Sequence, residues 1–358
     1  MPPARESLER PDRATIEAWL RETDDAALEP LWQRADRVRQ LHVGDAVHLR
    51  GLVEISNYCV RQCLYCGIRG CAADVTRYRM SAGEILACAR DAAQLGYGTV
   101  VMQSGEDPGL TEAFVADLVG AVKAETGLAV TLSLGERSDG ELRAWRAAGA
   151  DRYLLRFETS DPALYRRIHP NLPGTVSDRL AQLRRMRAMG YEIGSGVMVG
   201  IPGQTWDILA GDIEVFRDLD IDMIGVGPFL PSPRTPLGGG HANHYAAPPG
   251  EQVPNDELTT LKVVALTRLV CPDANLPSTT ALATIDPARG RELGLTRGAN
   301  IVMPNVTPPQ YRVLYEIYPG KACIHETAQI CRGCMERRIL SIGRRIGTGP
   351  GERRRRDA

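Results

Sequence analysis

The sequence from residue 48 to residue 66 reads His48-Leu-Arg-Gly-Leu-Val-Glu-Ile-Ser56-Asn-Tyr-Cys59-Val-Arg-Gln-Cys63-Leu-Tyr-Cys66. Its first half is a short apolar run that predicts a β-strand, and its second half contains three closely spaced cysteines. Three thiolates this close can bind one polynuclear iron–sulfur cluster. When such a cluster contains four irons, one iron stays open and can bind a substrate. A structural zinc site with Cys71 as its fourth ligand is the alternative.

The residues that follow alternate between short apolar runs and amphipathic helical stretches. Eight strands are predicted: His48–Ser56, Thr99–Gln103, Ala129–Leu134, Arg152–Phe157, Glu192–Val199, Met223–Pro228, Asn275–Ser278 and Asn300–Met303. Helices are expected to begin near Ser81, Thr111, Asp139, Asp161, Ser177, Thr205, Asp256 and Asp286, with a last one after Pro309. This pattern predicts an α/β fold, a complete (β/α)8 TIM barrel over residues 46–320, whose polar strand ends meet at one face.

The segments outside this barrel have other patterns. Residues 1–45 predict an N-terminal helical extension, with apolar residues at helical spacing. Within the barrel, residues 231–254 are rich in Gly and Pro and predict a long solvated loop, although His241 and His244 could bind a metal. The C-terminal segment, residues 321–358, ends in four arginines at 353–356. For residues 347–358 we expect a frayed terminus rather than a contact with nucleic acid or a partner.

The composition of the 358 residues excludes several classes of protein. Hydrophobic residues make up 43% and charged residues 24%, which is typical of a globular chain and not of a disordered or fibrous one. The formal net charge of −1 argues against a nucleic-acid binder. No apolar run reaches the roughly 20 residues that span a bilayer, and no secretory signal is present, so we expect a cytoplasmic protein. In that setting nine unevenly spaced cysteines favour metal binding over a disulfide framework.

The cysteine motif, with Tyr65 directly before its third cysteine, resembles that of the radical S-adenosylmethionine (SAM) superfamily. The resemblance implies that Cys59, Cys63 and Cys66 hold a 4Fe–4S cluster whose open iron chelates the amino and carboxylate groups of SAM. One electron from the reduced cluster then cleaves SAM to methionine and a 5′-deoxyadenosyl radical. The cofactors carry the difficult chemistry, and the protein supplies orientation and a dry pocket.

Further segments together resemble one family within this superfamily, the FeFe-hydrogenase maturases of the HydE type. They run in order within residues 45–340: QSGEDP (103–108), TLSLGE (131–136), DRYLLR (151–156) with Glu158-Thr159, MVGIPGQT (198–205), GVGPF (225–229) and MPN (303–305). The resemblance implies an enzyme that acts on a small organometallic precursor, an iron with carbon monoxide, cyanide and cysteine, during assembly of the hydrogenase H-cluster. It also implies other hydrogenase maturases and an electron donor as partners.

The same resemblance assigns contacts with SAM around the cluster. These residues are Tyr65, Gln103, Ser104, Glu106, Ser133, Glu158, Arg179 and Met198. A carboxylate suits the amino or ribose hydroxyl groups of SAM, and an arginine fork suits its carboxylate. A structural ion pair with Arg156 is the alternative for Glu158, although inward charges at strand ends usually serve function in this fold. For two other residues the local pattern alone favours a different role: a solvated helix face for Arg179 and core packing for Met198.

The resemblance also implies a substrate pocket at the barrel mouth. Its residues are Thr131, Arg156, Thr279, Thr280, Met303 and Tyr311. Hydroxyl groups with one arginine suit an anionic, amino-acid-like ligand. For Thr279 and Thr280, capping of the next helix is an equally good local explanation.

The second group of cysteines, Cys323-x7-Cys331-x2-Cys334, resembles the accessory iron–sulfur site of this family. A 2Fe–2S or 4Fe–4S cluster fits three cysteines, and a zinc site completed by His325 is the alternative. Because the group lies away from the barrel mouth along the sequence, we expect its loss to leave SAM cleavage largely intact. The remaining cysteines lack ligand spacing and are expected to be packing residues or incidental thiols: Cys71, Cys88 and Cys271.

Two other functions stay open on the sequence alone. Another radical SAM barrel enzyme, of the biotin synthase or methylornithine synthase type, has the same cysteine motif and fold and acts on a small amino-acid-like substrate. A non-catalytic iron–sulfur or zinc carrier is the other alternative, and it predicts no affinity for SAM. The polar strand ends at 103–107, 131–136 and 156–158 argue against a carrier, because a carrier has no need to line a pocket.

Overall fold

A computed structural model describes residues 10–239 and 245–353. The strands are β1 (Ala46–Ser56), β2 (Thr99–Ser104), β3 (Ala129–Ser133), β4 (Arg152–Leu154), β5 (Glu192–Val199), β6 (Met223–Pro228), β7 (Ile301–Val302) and β8 (Arg345–Ile346). The helices are α1 (Arg13–Arg21), α2 (Asp25–Val43), α3 (Ala82–Gln94), α4 (Glu112–Thr126), α5 (Asp139–Ala147), α6 (Pro162–Ile168), α7 (Arg179–Ala188), α8 (Trp206–Asp218), α9 (Glu257–Val270), α10 (Thr280–Ile285), α11 (Gly290–Thr296), α12 (Pro309–Arg312) and α13 (Ala328–Ser341). Every helix in these described ranges is too short or too polar to cross a membrane.

The strands form one curled parallel sheet. Seven of them lie side by side in the order β6-β5-β4-β3-β2-β1-β7, and β8 pairs with the start of β1. The intervening helices pack against the strands, as α3 does on β1 and β2 and α8 does on β5. This arrangement buries one layer of apolar side chains between helices and sheet. The predicted α/β fold of the TIM-barrel type is therefore confirmed in this coarser form.

The predicted strand at residues 275–278 differs from the others. Asn275 makes one isolated parallel bridge to Met223 of β6, and Pro277 makes one to Ile301 of β7. Proline has no backbone N–H, so a regular ladder cannot continue through residue 277. The segment lies between β6 and β7 without forming a regular strand, and the prediction of a regular strand there is wrong. The fourth strand is also shorter than predicted, because the chain leaves the ladder after Leu154.

Two helices, α1 and α2, precede the sheet within the described part of residues 1–45. α1 packs on α8, and α2 packs on α9. The inward side chains of Ile16, Leu20 and Leu28 are fully buried. Lys262 of α9 donates hydrogen bonds to the carbonyl oxygens of Leu20 and Glu22, at 2.5 and 2.8 Å. The ammonium group satisfies carbonyls at the C-terminal end of α1 and so ties this helix to the barrel.

The Gly- and Pro-rich segment 231–254 is mostly irregular where it is described, as predicted. It is nevertheless anchored, since the side chain of Leu237 is fully buried and its N–H donates to the carbonyl of Leu64 at 3.1 Å. This contact places the loop against the cysteine motif. His241 and His244, the alternative metal ligands, lie outside the described residues.

The described part of the C-terminal tail does not fray, although the sequence predicted that it would. Instead of fraying, residues 345–353 close the amino-terminal end of the curled sheet. The carbonyl of Gly351 accepts hydrogen bonds from Arg50 at 2.8 Å and Asn275 at 3.0 Å, and the carbonyl of Pro350 accepts one from Thr99 at 2.9 Å. The prediction of a frayed terminus is wrong for residues 347–353, because strands distant in sequence present donors that only the closed fold brings together. Residues 354–358 lie outside the described part.

Replacing Arg353 with alanine is expected to lower the free energy of unfolding by about 2–3 kcal/mol. The Arg353 side chain is mostly buried and forms ion pairs with Asp220, Asp222 and Asp273 at 2.7–3.2 Å. Alanine removes the cation that these three carboxylates share. Denaturant titration followed by circular dichroism measures the loss.

The matched control for this variant is Arg345→Ala, which removes an exposed arginine from the same tail. Its unfolding free energy is expected to stay within about 0.5 kcal/mol of the wild-type value. Burial raises the pKa of Asp273, but the hydrogen bond and charge of Arg353 outweigh it and hold that pKa below the ordinary value. The stabilisation is thus present above about pH 4 and is lost as the pH falls through the folded-state pKa. Equal losses in the two variants contradict this account.

Candidate active site

The cysteine motif forms a loop that three other parts of the fold hold in place. After β1 the chain turns, and Val60 donates to the carbonyl of Glu106 at 3.0 Å. Further along, Leu64 donates to Ile168 at 2.9 Å and Gly67 donates to Ile317 at 2.8 Å. These contacts come from the ends of β2, α6 and α12, so the geometry of the loop is set by the whole barrel mouth.

Two glycines allow the loop to approach its neighbours closely. A Cβ atom on Gly105 would lie 2.2 Å from the carbonyl oxygen of Tyr58, and one on Gly67 would lie 2.3 Å from that of Glu316. Both distances are far below van der Waals contact, and the nearby atoms are backbone. Any other residue at these positions would therefore push the cysteines out of place.

The three thiols of the motif converge in a buried environment. Burial raises the pKa of Cys59 and of Cys66, and it raises the pKa of Cys63 to about 12. The charges of Cys63 and Cys59 also raise the pKa of Cys66, so the three thiols influence one another electrostatically. Soft sulfur donors of this kind fit an iron–sulfur cluster, and cluster binding must release their protons.

A site for a single metal ion has a tighter geometry than this. Among the described residues, no three His, Cys, Asp or Glu side chains converge closely enough to hold one ion. Cys71, the alternative fourth ligand, is exposed, and its sulfur accepts a hydrogen bond from Arg69 at 3.0 Å.

A network of buried charges lies behind the cysteine loop. Arg61, between the first two cysteines, forms ion pairs with Glu106 at 2.7 Å and Glu136 at 3.0 Å. Glu136 also pairs with Arg179 at 3.0 Å. Burial raises the pKa of Glu106, and the charge of Arg61 opposes that rise. The network thus holds the ends of β2 and β3 to the cysteine loop.

Arg179 has a buried position that its local sequence does not indicate. It is the first residue of α7, and its side chain is only 10% exposed. It donates to the carbonyl of Arg156 at 2.7 Å and to Nε2 of His169 at 2.6 Å. Burial and the charge of Arg179 lower the pKa of His169 to about 2, so the imidazole is neutral and accepts this bond. The local pattern favours a solvated helix face for Arg179, and this prediction is therefore wrong.

Glu158 and Arg156 form an ion pair at 3.1 Å, which was the alternative role for these two residues. Glu158 has a φ angle of 63°, an uncommon value for a residue with a side chain. Burial raises its pKa, while the charges of Arg156 and Arg179 oppose that rise. A strained backbone and a buried carboxylate at a strand end are features that cluster at functional sites.

A cavity of about 310 Å³ opens at the carboxyl ends of the strands, directly beside Cys66. Most of the predicted SAM and substrate residues line it: Tyr65, Gln103, Ser133, Arg156, Glu158, Met198, Thr279, Thr280 and Met303. These residues come from seven separate parts of the chain. The fold therefore brings the cysteine motif and the polar strand ends to one enclosed space, as the barrel prediction requires.

Other predicted site residues do not line this cavity. Ser104 donates to the carbonyl of Gly105 at 2.6 Å, and Glu106 and Arg179 belong to the network behind the cysteine loop. Thr131 is fully buried in a small void near Arg50 and Arg152, at the far end of the sheet. The hydroxyl of Tyr311 donates to Glu84 at 2.7 Å, outside the cavity. For Thr131 and Tyr311 the role in substrate binding stays a prediction that this placement does not support.

The structure also adds residues that the sequence pattern did not reveal. Glu54 of β1 and Lys321 form a buried ion pair in the cavity wall. Tyr318 lines the cavity as well, and the hydroxyl of Tyr315 accepts a hydrogen bond from Gln103 at 3.3 Å. A carboxylate inside the apolar run of β1 was a signal that could have identified Glu54. Nothing in the local sequence indicates a site role for Lys321, Tyr315 or Tyr318.

The accessory cysteines lie in the segment around α13. Cys331 and Cys334 lie on that helix, and Cys323 precedes it with a φ angle of 62°. Cys323 and Cys331 share a proton, which lowers the pKa of Cys323 and raises that of Cys331. Arg312 donates to the carbonyl of Cys323 at 2.9 Å and holds this segment to the barrel. His325, the alternative zinc ligand, is exposed.

The chain is similar to known proteins over most of its length. The family model described as Radical SAM superfamily matches residues 53–216. The chain is 44% identical to the FeFe-hydrogenase maturase subunit HydE of Thermotoga maritima, over 98% of this chain and 97% of that protein. It is 31% identical to the 3-methylornithine synthase of Methanosarcina acetivorans, over 84% and 83% of the two chains. Among solved structures, methylornithine synthase (PylB) superposes with a TM-score of 0.79 at 26% identity, covering 95% of both chains.

Proposed function

The chain belongs to the radical SAM superfamily and, within it, to the HydE family of FeFe-hydrogenase maturases, and from that premise we propose how its cavity works. It is a radical SAM enzyme of hydrogenase maturation. In our proposal the cavity binds SAM against a 4Fe–4S cluster on one side and a small organometallic precursor on the other. The observation that carries this proposal is the opening of a buried three-cysteine loop, through Cys66, into a cavity with charged walls.

We propose Cys59, Cys63 and Cys66 as the cluster ligands. When bound, the cluster supplies the electron that cleaves SAM to methionine and a 5′-deoxyadenosyl radical. Arg61 and the network behind the loop support this role, since they hold the loop rigid. The three neutral thiols must lose their protons before they bind iron, so loading of the site is favoured at higher pH.

Side chains on the strand ends are proposed to orient SAM. Gln103 and Ser133 offer neutral acceptors for its amino group, and the buried carboxylate of Glu158 suits an ammonium or ribose hydroxyl group. Arg179 lies close enough to influence the pKa of both Cys63 and Glu158. Its charge therefore acts between the cysteine loop and β4, where it suits the carboxylate of SAM. Met198 supplies an apolar surface for the adenine.

The substrate is proposed to be an iron complex with carbon monoxide, cyanide and cysteine. Arg156 and Thr280 offer donors for anionic groups of such a ligand. Thr279 also lines the cavity, but its hydroxyl caps α10 and donates to the carbonyl of Val226 at 3.1 Å, so the local explanation holds for it as well. Other maturases and an electron donor are the proposed partners.

We propose that the sheet closes completely around this cavity. The bridges of Asn275 and Pro277 to β6 and β7 support an eighth position in the barrel. The carbonyl of Asn275 accepts from Ile224 at 2.9 Å, and that of Ile301 accepts from Ser278 at 3.0 Å. A closed wall excludes water from a radical reaction and prevents its loss in side reactions.

The test of the proposed function is anaerobic. The protein is reconstituted with iron and sulfide and reduced with dithionite, and its EPR spectrum is recorded with and without SAM while 5′-deoxyadenosine is assayed. A 4Fe–4S signal that shifts with SAM, 5′-deoxyadenosine formation, and activation of an FeFe-hydrogenase in a maturation assay are the expected results. SAM cleavage without any maturation, together with a carbon-skeleton product, would instead favour an enzyme of the methylornithine synthase type, which shares the fold.

We propose a second iron–sulfur cluster on Cys323, Cys331 and Cys334. The thiol pair with a lowered pKa at Cys323 and the nearby charge of Arg291 support anionic sulfur ligands here. Cys331→Ala is expected to remove this cluster and to leave the rate of SAM cleavage within about twofold of wild type. Iron content per chain, EPR and 5′-deoxyadenosine formation measure the two effects.

Cys88→Ala is the matched control for that variant, because Cys88 is a buried thiol outside both cysteine groups. It is expected to keep the full iron content. A Cys331→Ala protein that assembles its first cluster but cannot cleave SAM would refute the independence of the two sites.

A further inference from the structure

A buried ion pair forms part of the cavity wall. The side chains of Lys321 and Glu54 are 5% and 1% exposed, and both line the cavity. Glu54 accepts from Lys321 on Oε1 and from Asn305 on Oε2, the latter at 3.0 Å. The side-chain oxygen of Asn305 in turn accepts from the N–H of Thr307 at 2.8 Å. Both carboxylate oxygens are thus engaged, and the carboxylate cannot rotate freely.

Stability alone does not explain these charges. Replacing a buried ion pair by apolar residues of similar volume is often neutral or stabilising, because taking two charges out of water is costly. Lys321 reaches Glu54 from a loop 267 residues further along the chain. A charged pair that lines an enclosed cavity is therefore a candidate for ligand binding.

Lys321 still has hydrogen-bond donors that it can offer to a ligand. A lysine ammonium group has three N–H donors and no acceptor. Within the described residues, Glu54 is the hydrogen-bond acceptor recorded for Lys321, and the ring of Tyr315 lies 5.3 Å from Nζ. A ligand that offers hydrogen-bond acceptors can add to the pair only through the remaining donors of Lys321, since Glu54 has no donor. Such a ligand group must be an acceptor, and a carboxylate fits best.

The ammonium group of Lys321 lies across the cavity from the guanidinium group of Arg156. Arg156 follows β4, whereas Glu54 lies on β1, three strands away in the sheet order. Tyr318 also lines this cavity, and burial raises its pKa to about 12, while the charges of Glu54 and Arg156 both act on it. The Nε of Arg156 is buried and has no hydrogen-bond partner among the described residues. The cavity thus presents unused donors from two opposite sides.

We infer that Lys321 is a substrate-specificity residue: its ammonium group, held by Glu54, binds the carboxylate of an amino-acid-like ligand. The inference rests on the proposed function and deepens it, because it assigns one end of the substrate to one side of the cavity. Arg156 then receives the remaining acceptor groups of the same ligand. Glu54 and Asn305 act as positioning residues, since Glu54 contacts Lys321 and Asn305 contacts Glu54.

The test compares two probes that differ only in the carboxylate. These are the iron(II) carbonyl–cyanide complex of L-cysteine and the same complex made with cysteamine. Binding to the anaerobic, cluster-loaded and SAM-bound protein is measured by equilibrium dialysis. Wild type is expected to bind the cysteine complex at least about tenfold more tightly than the cysteamine complex. In the double variant Glu54→Gln/Lys321→Met this preference is expected to fall to about twofold or less, with cysteamine binding unchanged.

The double variant avoids a trivial loss of folding. Lys321→Met alone leaves a buried carboxylate without its cation, whereas glutamine at position 54 is neutral and still accepts from Asn305. Circular dichroism and bound iron confirm the fold, and Lys123→Met, which removes a lysine from a partly exposed ion pair with Asp151, is the matched control. The inference is overturned if the double variant loses affinity for both complexes equally, or if it keeps the wild-type preference for the cysteine complex. Either result leaves the proposed SAM cleavage and the role in maturation intact. A wild-type protein that binds neither probe contradicts the proposed substrate together with this inference.

Discussion

Cys63→Ala is expected to abolish SAM cleavage, with 5′-deoxyadenosine formation falling by about a thousandfold or more, equivalent to ~4 kcal/mol of lost transition-state stabilisation. Cys63 is the middle ligand of the motif and is 8% exposed, so solvent cannot supply a replacement ligand readily. Two cysteines hold an iron–sulfur cluster much less well than three, and the electron that cleaves SAM comes from that cluster. Iron content, EPR and product formation are measured on the reconstituted protein.

The matched control for this variant is Cys71→Ala. Cys71 lies only a few residues beyond the motif, but it is exposed and bonds to Arg69. The control is expected to keep the EPR signal, the SAM-dependent shift and product formation at the wild-type level. Loss of the metal site in Cys71→Ala would instead support a four-cysteine zinc site. Full activity in Cys63→Ala would contradict the assignment of the cluster.

Arg179→Gln is expected to weaken SAM binding by about 10- to 100-fold. The substitution removes the cation that pairs with Glu136 and that acts on Glu158 from behind the cavity. Glutamine can still donate to the carbonyl of Arg156, so the backbone of β4 keeps one of its contacts. The weaker binding should therefore appear mainly as a higher SAM concentration for half-maximal cleavage, and less as a lower rate at saturating SAM.

Arg185→Gln is the control for this variant, because Arg185 lies on the same helix and its side chain is about half exposed. Its ion pair with Asp139 is solvent-screened and contributes little. SAM binding in this variant is expected to match wild type. If Arg185→Gln weakens SAM binding as much as Arg179→Gln does, the effect belongs to the whole helix and not to the buried guanidinium group.

Part of the site could be predicted because its signals are local. The cysteine ligands lie within eight residues of one another, and Gln103, Ser133 and Glu158 each directly follow or end an apolar run. In a parallel barrel such positions meet at one end whatever the loops do. These residues line the cavity or flank it, as expected.

Other parts could not be predicted because their signals are not local. Arg179 lies in a basic helical stretch that reads as solvated, yet burial against Glu136 and His169 decides its environment. Tyr311 and Thr131 were assigned by resemblance to the cavity, but α12 directs the first to Glu84 and the inner face of β3 directs the second to the far end. Which way a side chain points from a short helix or a strand depends on what packs against it.

The sequence by itself determined the class of fold and the close spacing of the three cysteines that we propose as cluster ligands. Covalent spacing keeps Cys59, Cys63 and Cys66 together in any fold, and apolar periodicity predicts helix and strand without knowledge of their neighbours. Tertiary structure alone decided the pairing of Glu54 with Lys321 and the contact of the tail at Gly351 with Arg50. These contacts join residues more than 200 positions apart. They form only when the folded sheet brings both partners together and excludes water from them, and no local pattern carries that information.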